Sequence, residues 1–391
     1  MTNDFERQIM RIGIDANWAV YEKAGIGKYS ENLIRNLLQE DKKNEYVLFF
    51  NFFKNKKKHQ SEIKNITTGA KAKVSVKFIP IPGKVKEFLF QTKFPAQKIF
   101  PDDIDLYFSP YFSGIPRVGW KKMVVTIHDL AFLKFPDHRG KNISNFYLRK
   151  TKQAIESCQK VIAVSESTKN DLIKILKVDP EKIVVIYEGK DENFRLIKEK
   201  DKINKVVRKY LPKLQEFILS VGTLEPRKNL VKLIRAYSML PYVIQKKYKL
   251  VLAGGEGWNN SDIQKEIKEL NLEEKIIKLG YVKQSDLPAL YNAATVFVYP
   301  SLYEGFGLPP LEAMSCGTPV ITSNTSSLPE VVGSAAKLIN SKSEKEITEE
   351  LKNVLTSRKI QLEMKIKGIE QAKKFSWKKS AKETIDLFNK L

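Results

Sequence analysis

The sequence predicts an α/β protein built from two doubly wound domains, and three observations carry that prediction. Short apolar, β-branched runs alternate with amphipathic helical stretches through both halves, the pattern of parallel strands joined by crossover helices. Twice, at 9–39 and 295–322, a strand runs into a glycine-bearing loop and then a helix. A charged stretch over 190–213, holding Pro212, breaks the rhythm near the middle of 391 residues, a length that suits two sizeable cores.

Residues 9–16 (IMRIGIDA) read as the first strand. A loop with Gly25, Ile26 and Gly27 follows, then a helix over Lys28–Gln39. Strand, glycine loop and helix is the geometry by which a backbone approaches a phosphate. Spacing excludes two familiar versions. A Walker A loop needs glycine at 22, where Glu22 stands, and a dinucleotide fingerprint needs it at 30, where Ser30 stands. The loop alone leaves a ligand role and a plain turn both open. Tyr46–Phe52 and Val74–Pro80 are the next strands, with the basic loop FFKNKKKHQ after the former. In Lys84–Phe100, lysines interleave with Phe88, Leu89, Phe90, Phe94 and Phe100. That mixture suits a lipid–water boundary, and equally a helix that buries its aromatics. Ile104–Phe108 and Met123–Ile127 follow. Asp103-Ile104-Asp105 has the D-x-D spelling of a metal site, but it lies in a surface turn entering a strand and is not assigned a metal. The strand ending at Ile127 continues as HDLAFLKFPD, which puts His128 and Asp129 at a carboxyl end, where open α/β sheets hold their ligands. Val161–Val164, a helix over Ser165–Leu176 capped by Ser165, and Ile183–Tyr187 complete the first half.

The second half repeats the rhythm. Phe217–Val221 runs into GTLEPRKNL and a helix over Leu230–Leu240. Arg227 and Lys228 stand at that helix's start. The dipole disfavours cations there, which argues that they serve an anion, and both side chains bind phosphates. Leu250–Gly254 and Lys275–Leu279 are strands, and Asp286–Tyr291 a helix. Thr295–Tyr299 is a buried strand. It opens the stretch YPSLYEGFGLPPLEAMSCGTPVITSNTSSLPEVV, on which the chain is organised. Gly305 and Gly307 lie in its loop. Pro309 and Pro310 sit in a helix's first turn, where a missing N–H costs nothing. Gly317 ends that helix, Thr318–Thr322 is a strand, and Ser326–Val332 a short helix. Glu304 and Glu312 flank the loop. Loop amides and a helix N-terminus favour an anion, so a ligand carrying phosphate and hydroxyls together, such as a nucleotide-sugar, fits. An ordinary strand–helix turn with two solvated glutamates is the plain alternative.

The composition is globular, at 42% hydrophobic and 10% aromatic. Two cysteines, Cys158 and Cys316, form no disulfide framework, and MTNDFERQIM has no signal-peptide core. With no run of 18 apolar residues, a cytoplasmic protein, at most peripheral on the inner membrane face, is expected. The net charge is +23, and residues 51–100 contribute 12 − 2 = +10 of it. A solvated lysine-rich surface, an anionic membrane surface, and a phosphorylated acceptor are all consistent with this. Nucleic acid is not expected, because no binding motif for it is present.

The motif E-G-F-G-L-P with EAMSCG and T-P-V-I resembles the E-x7-E signature of the GT4 family of retaining glycosyltransferases. The resemblance spans nearly the whole chain. It implies the GT-B fold, two Rossmann-like doubly wound domains facing each other across a cleft. One would cover 1–195 and bind the acceptor; the other would cover 196–374 and bind the nucleotide-sugar. The tail around Trp377 (375–391) would return to the first domain. It further implies that Arg227 and Lys228 of E-P-R-K-N clamp the donor diphosphate without a metal or other cofactor. Gly305, Phe306, Gly307 and Leu308 would join them. Glu304 would hold the sugar hydroxyls, Glu312 the ribose, and Val282 the base. Gly25, Ile26 and Gly27 would face the donor phosphate, and His128 would touch the donor sugar. Two departures stand out: Thr223 replaces a further arginine of some members, and Glu188 replaces the asparagine of an N-G-V-D turn, read here as a harmless linker change. The expected partners are a nucleoside-diphosphate sugar and a saccharide or polyprenyl-linked acceptor, with membrane contact through 51–100. The H-D-L-A-F tail leans towards mannose. Another GT-B chemistry, such as sugar-nucleotide epimerisation, and a catalytically silent sugar-nucleotide scaffold are the alternatives.

Overall fold

Parallel strand pairing organises both halves of the chain. The computed structural model describes residues 9–21, 25–52, 59–100, 103–136, 140–213, 215–257 and 261–391. It divides into two units, one running to Gly189 and resuming over Ser376–Leu391, the other formed by Lys190–Phe375. The crossing at Gly189–Lys190 thus lies slightly ahead of residue 195.

The first unit holds β1 (Arg11–Asp15), α1 (Trp18–Tyr21), α2 (Gly25–Glu40), β2 (Glu45–Phe50), α3 (Gln60–Thr67), β3 (Lys73–Phe78), α4 (Gly83–Gln91), β4 (Leu106–Ser109) and β5 (Lys122–Ile127). It continues with α5 (Ala131–Lys134), α6 (Lys141–Ser157), β6 (Lys160–Ala163), α7 (Glu166–Leu176) and β7 (Ile183–Val185). The seven strands pair in parallel in the order β3-β2-β1-β4-β5-β6-β7. The order reverses between β1 and β4, so the loops after those two strands flank the crevice where such sheets bind ligands. Strands buried on both faces need continuous apolar runs, and Leu106–Phe108 and Val161–Ala163 supply them.

One expectation needs correcting in this unit, and one that left two readings open divides between them. Gly25, Ile26 and Gly27 are not a loop before a helix but the first turn of α2. Glycine costs a helix only about 0.5–1 kcal/mol of backbone entropy relative to alanine, which packing of the rest of α2 can offset. The buried stripe Tyr29, Leu33, Ile34, Leu37 and Leu38 then fixes the helix on the sheet. The Lys84–Phe100 segment is divided. Phe90 and Phe100 are buried in the core, while Val85 and Phe88 of α4 are 45% and 66% exposed. The loop lysines Lys54, Lys56, Lys57 and Lys58, and also His138, lie outside the described residues.

The second unit holds α8 (Lys200–Val207), β8 (Phe217–Val221), α9 (Leu230–Ser238), α10 (Tyr242–Lys247), β9 (Lys249–Ala253), α11 (Ser261–Glu269), β10 (Ile276–Gly280) and α12 (Leu287–Ala293). Then come β11 (Val296–Tyr299), α13 (Leu308–Ser315), β12 (Val320–Ser323), α14 (Leu328–Val332), β13 (Lys337–Ile339), α15 (Glu344–Thr356) and α16 (Arg358–Ala372). Its strands also pair in parallel, in the order β10-β9-β8-β11-β12-β13, and the order reverses between β8 and β11.

The last helix, α17 (Trp377–Asn389), belongs to the first unit and packs along α2. Ser376 caps it by accepting from the Lys379 amide at 3.2 Å. Trp377 is buried and meets Tyr29 edge-on at 5.6 Å. The Ser380 hydroxyl donates to the Tyr187 carbonyl at 2.5 Å, which ties the returning chain beside the departing one. Among the described residues no helix is long and apolar enough to cross a membrane.

Candidate active site at the carboxyl ends of β8 and β11

The loops after β8 and β11 are knitted together by backbone and side chain. Asn229 adopts the left-handed conformation (φ 58°), and its amide nitrogen Nδ2 donates to the carbonyls of Pro300 (3.2 Å) and Ser341 (2.7 Å). The Leu302 amide donates to the Arg227 carbonyl at 2.9 Å. Arg227 and Lys228 therefore do not begin α9, as the sequence suggested. They lie in a separate 3-10 turn, Pro226–Lys228, closed off by Asn229. Their disfavoured position is compensated by an anion within the protein.

That anion is Glu304, which is 9% exposed. Its Oε1 accepts from Lys228 Nζ (2.7 Å), Tyr299 OH (2.9 Å) and Ser301 Oγ (2.5 Å). Its Oε2 accepts from Arg227 Nη1 at 2.8 Å. Arg227 also donates to the Tyr303 carbonyl (2.6 Å), and through Nε and Nη2 to Glu225 Oε1 (3.0 and 2.7 Å). Lys228 Nζ donates to Tyr299 OH at 2.7 Å and stands over that ring, 5.1 Å from its centre.

Burial alone would raise the Glu304 carboxyl. The charges of Arg227 and Lys228, with hydrogen bonds from Lys228 and Ser301, outweigh burial and hold it at about 2. Burial pushes the Lys228 ammonium below its ordinary value and Arg227 adds to that, with Glu304 and Glu225 pulling the other way. The Tyr299 hydroxyl is raised by burial and then by Glu304, so it acts as a neutral donor.

Glu312 is buried on α13 and accepts from Tyr291 OH at 3.0 Å. Val282, also buried, follows β10, two strands from β8. Gly307 caps α13 at φ 122°, a conformation that favours glycine. Phe306 is buried edge-on against Phe375 at 5.7 Å. The structure thus gathers Glu304, Arg227 and Lys228 into one cluster with the Gly305–Leu308 loop adjoining. Sequence reasoning missed Glu225, Tyr299, Ser301, Ser326 and Ser327. Glu225 could have been found, since it adjoins Pro226 in the same motif.

His128 and the Gly25–Gly27 turn belong to the first unit. His128 Nε2 lies 2.9 Å from the Pro110 carbonyl, which can only accept, so that nitrogen carries a hydrogen. Nδ1 faces Glu188 Oε1 at 3.4 Å, and Tyr29 stands edge-on to the ring at 4.6 Å. This corrects the reading of Glu188. It is not a harmless linker change but a residue 6% exposed that points at the imidazole. No spacing rule linked positions so far apart. Asp105 accepts from the Arg11 amide at 2.7 Å, a structural use of the D-x-D spelling. Among the described residues no group of three or more His, Cys, Asp or Glu could hold a metal ion.

Two doubly wound units, one with a charged cluster and a glycine loop at its switch point, define a two-domain α/β protein whose loops meet where such sheets hold ligands. Comparison with known proteins specifies the family. Residues 24–194 match Glycosyltransferase Family 4 and residues 199–374 match Glycosyl transferases group 1. The O-antigen chain mannosyltransferase B of Escherichia coli is 33% identical over 286 residues, 73% of this chain and 74% of that one. The serotype-specific mannosyltransferase WbdA of Escherichia coli is 36% identical over 296 residues, but that match spans only 35% of its length, about a third. Among solved structures, Anabaena Alr3699/HepE in complex with UDP and glucose superposes with a TM-score of 0.74 at 19% identity, covering 98% of this chain and 100% of that one. WaaG, a glycosyltransferase involved in lipopolysaccharide biosynthesis, gives 0.69 at 14% identity, covering 97% and 99%. The structural likenesses establish the GT-B fold. The chain belongs to the family 4, group 1 glycosyltransferases.

Proposed function

We propose that this chain is a retaining hexosyltransferase of surface-polysaccharide assembly. It moves mannose from a nucleoside-diphosphate sugar to a saccharide or lipid-linked acceptor without a metal. The observation that carries the reading is the Glu304–Arg227–Lys228 cluster beside the Gly305–Gly307 loop. Lys228 Nζ has three hydrogens and spends two on Tyr299 and Glu304, which leaves one for a phosphate oxygen. Glu304 Oε1 already accepts three hydrogen bonds whereas Oε2 accepts one, so Oε2 is the atom for a sugar hydroxyl. Glu312 serves the ribose. The leaving group is a diphosphate, and fixed donors that meet its developing charge lower the barrier. The relatives named as mannosyltransferases support the sugar. Contact with an anionic membrane fits Val85 and Phe88, exposed on a lysine-bearing helix.

A donor panel of GDP-mannose, UDP-glucose, UDP-GlcNAc and UDP-galactose, with and without EDTA, tests this. Nucleoside-diphosphate release that survives EDTA and falls at least ~100-fold in Lys228→Ala, the scale of losing one transition-state donor, is expected. Turnover that needs a metal would overturn the clamp. Binding without turnover would favour a silent scaffold, and binding of no donor would overturn the donor reading.

A further inference from the structure

Each of the two glutamates that flank the loop after β11 has a buried tyrosine of its own. Tyr299 OH donates to Glu304 Oε1 at 2.9 Å, and Tyr291 OH donates to Glu312 Oε2 at 3.0 Å. The spacing of the tyrosines, 299 − 291 = 8, matches that of the glutamates, 312 − 304 = 8. Phe297 of β11 touches both rings, edge-on to Tyr291 at 5.4 Å and stacked on Tyr299 at 5.8 Å. Tyr299 belongs to the charged cluster around Glu304. Tyr291 lies outside that cluster, on α12, the helix that follows Val282.

Tyr291 is held firmly. It is fully buried, its ring meets Phe194 edge-on at 5.8 Å, and its carbonyl accepts from Thr318 Oγ1 at 2.6 Å. Its neighbour Asn292 accepts the Ile197 amide at 2.9 Å and donates to the carbonyls of Arg195 (2.9 Å) and Pro288 (2.8 Å), which pins the end of α12. Burial raises the Tyr291 hydroxyl well above its ordinary value and Glu312 raises it further, so the phenol stays neutral and keeps its hydrogen to give. Glu312 is the opposite kind of group. Its side chain is long and loses rotamer freedom when ordered, and a buried carboxyl needs donors. A hydroxyl on a rigid ring meets both needs, because it pays for burial and selects one rotamer. A carboxylate accepts at about four positions, and Tyr291 uses one, so the contact leaves the group able to bind more.

We propose that Tyr291 is a positioning residue: its hydroxyl holds the Glu312 carboxylate in the rotamer that receives the ribose hydroxyls of the donor nucleotide. This rests on the proposed function, in which Glu312 serves the ribose. The hydroxyl acts only through Glu312, so it matters to a nucleotide that carries ribose hydroxyls and not to one that lacks them.

The test uses the full-length protein and Tyr291→Phe, which removes the hydroxyl and keeps the ring and its packing. Tyr299→Phe, the same change at the other glutamate, is the control. Calorimetric titration with GDP and 2′,3′-dideoxy-GDP, and with UDP and 2′,3′-dideoxy-UDP, gives each protein's preference for the ribose hydroxyls. A fall of that preference by about fivefold or more in Tyr291→Phe, with dideoxynucleotide affinity and the preference of Tyr299→Phe both unchanged, is the expected result. A preference in Tyr291→Phe within about twofold of wild type overturns the proposal. Equal loss of affinity for both kinds of nucleotide in Tyr291→Phe overturns it too, since general damage to the unit would do that. In a Glu312→Ala background there is no carboxylate to position, so adding Tyr291→Phe should leave the preference as it is; a further fall there means the tyrosine acts by another route and also overturns the proposal. A wild type that binds GDP or UDP without any preference for the ribose hydroxyls would remove Glu312 from the ribose and this inference with it. Binding of neither diphosphate by the wild type would instead be a failure of the donor reading, distinct from every variant result.

Discussion

Replacing Glu304 with glutamine removes one charge from a cluster that needs it, and the cost can be worked from the structure. The folded protein holds the Glu304 carboxyl at about 2 against an ordinary value of 4.5. The difference, 4.5 − 2 = 2.5, at about 1.4 kcal/mol per pH unit gives roughly 3 kcal/mol of stability at neutral pH. Removing one partner of a buried ion pair costs roughly 3–5 kcal/mol for the same reason: the charge left behind is uncompensated. Here Arg227 keeps Glu225, so the stranded charge is chiefly Lys228. The glutamine amide would also face the Arg227 guanidinium, donor against donor.

The sign follows from the depression. Glu304 contributes fully above the unfolded-state value near 4.5 and loses that contribution as pH falls through about 2. At pH 3 less than half of it should remain, about 1 kcal/mol. Urea unfolding at pH 7 and pH 3 measures both numbers. The chain has two units, so the readout must belong to the second, for example hydrogen exchange of peptides spanning β8 and β11. Glu304→Gln should lose about 3 kcal/mol at pH 7 and clearly less at pH 3. A variant within 1 kcal/mol of wild type at pH 7, or a difference that stays constant into acid, would refute the account of the cluster.

Two further outcomes follow from other parts of the fold. Gly254→Ala places a Cβ 1.9 Å from the Gly222 carbonyl oxygen, backbone against backbone, so the second unit should lose about 3 kcal/mol or more and its melting point should drop; an unchanged melting curve would mean the β8 and β9 ends are not so close. If α4 touches a membrane, Phe88→Ser should cut co-sedimentation with phosphatidylglycerol vesicles severalfold while leaving donor hydrolysis unchanged; equal sedimentation would remove that surface from the membrane reading.

Much of this was legible in the sequence, and the misses have physical causes. The buried parallel strands announce themselves because both faces are apolar, as in Val296–Tyr299. Arg227 and Lys228 were legible as types suited to an anion and Glu304 as one suited to hydroxyls, yet Glu304 was not legible as their partner, because it lies far from them in the chain and meets them only at the switch point of the sheet. The α16 helix was not legible. Its sequence alternates Ile360, Leu362, Met364 and Ile366 at the period of a strand, yet the buried positions are Gln361, Met364, Gly368 and Ala372, with Leu362 and Ile366 exposed. The buried stripe has helical spacing, but apart from Met364 it is made of polar and small residues, and Gly368 lies against Met314 of α13. Apolar pattern alone misreads such a helix. Glu188 was misread for the opposite reason: its local context is a plain chain crossing, and its partner, His128, lies far off in the chain, just after β5.

The charge of the candidate site bears on how a donor would be drawn in. Glu225, Arg227, Lys228 and Glu304 carry two negative and two positive charges, so the cluster is neutral by itself. The net +23 of the chain is therefore not concentrated there, and nearly half of it lies in residues 51–100. A neutral cluster exerts little long-range pull on an anion; steering falls to the surface charge as a whole. What the cluster offers is short-range: a lysine hydrogen left to give and a carboxylate oxygen left to accept. Such groups discriminate by geometry more than by charge, and on the proposed reading a sulfate or carboxylate of equal charge would fail to place hydroxyls at Glu304 and Glu312. Pairing the cations with Glu304 also keeps them ordered and buried, so a ligand would meet donors already in position, and fixed donors of that kind need no reorganisation when charge develops on the leaving phosphate.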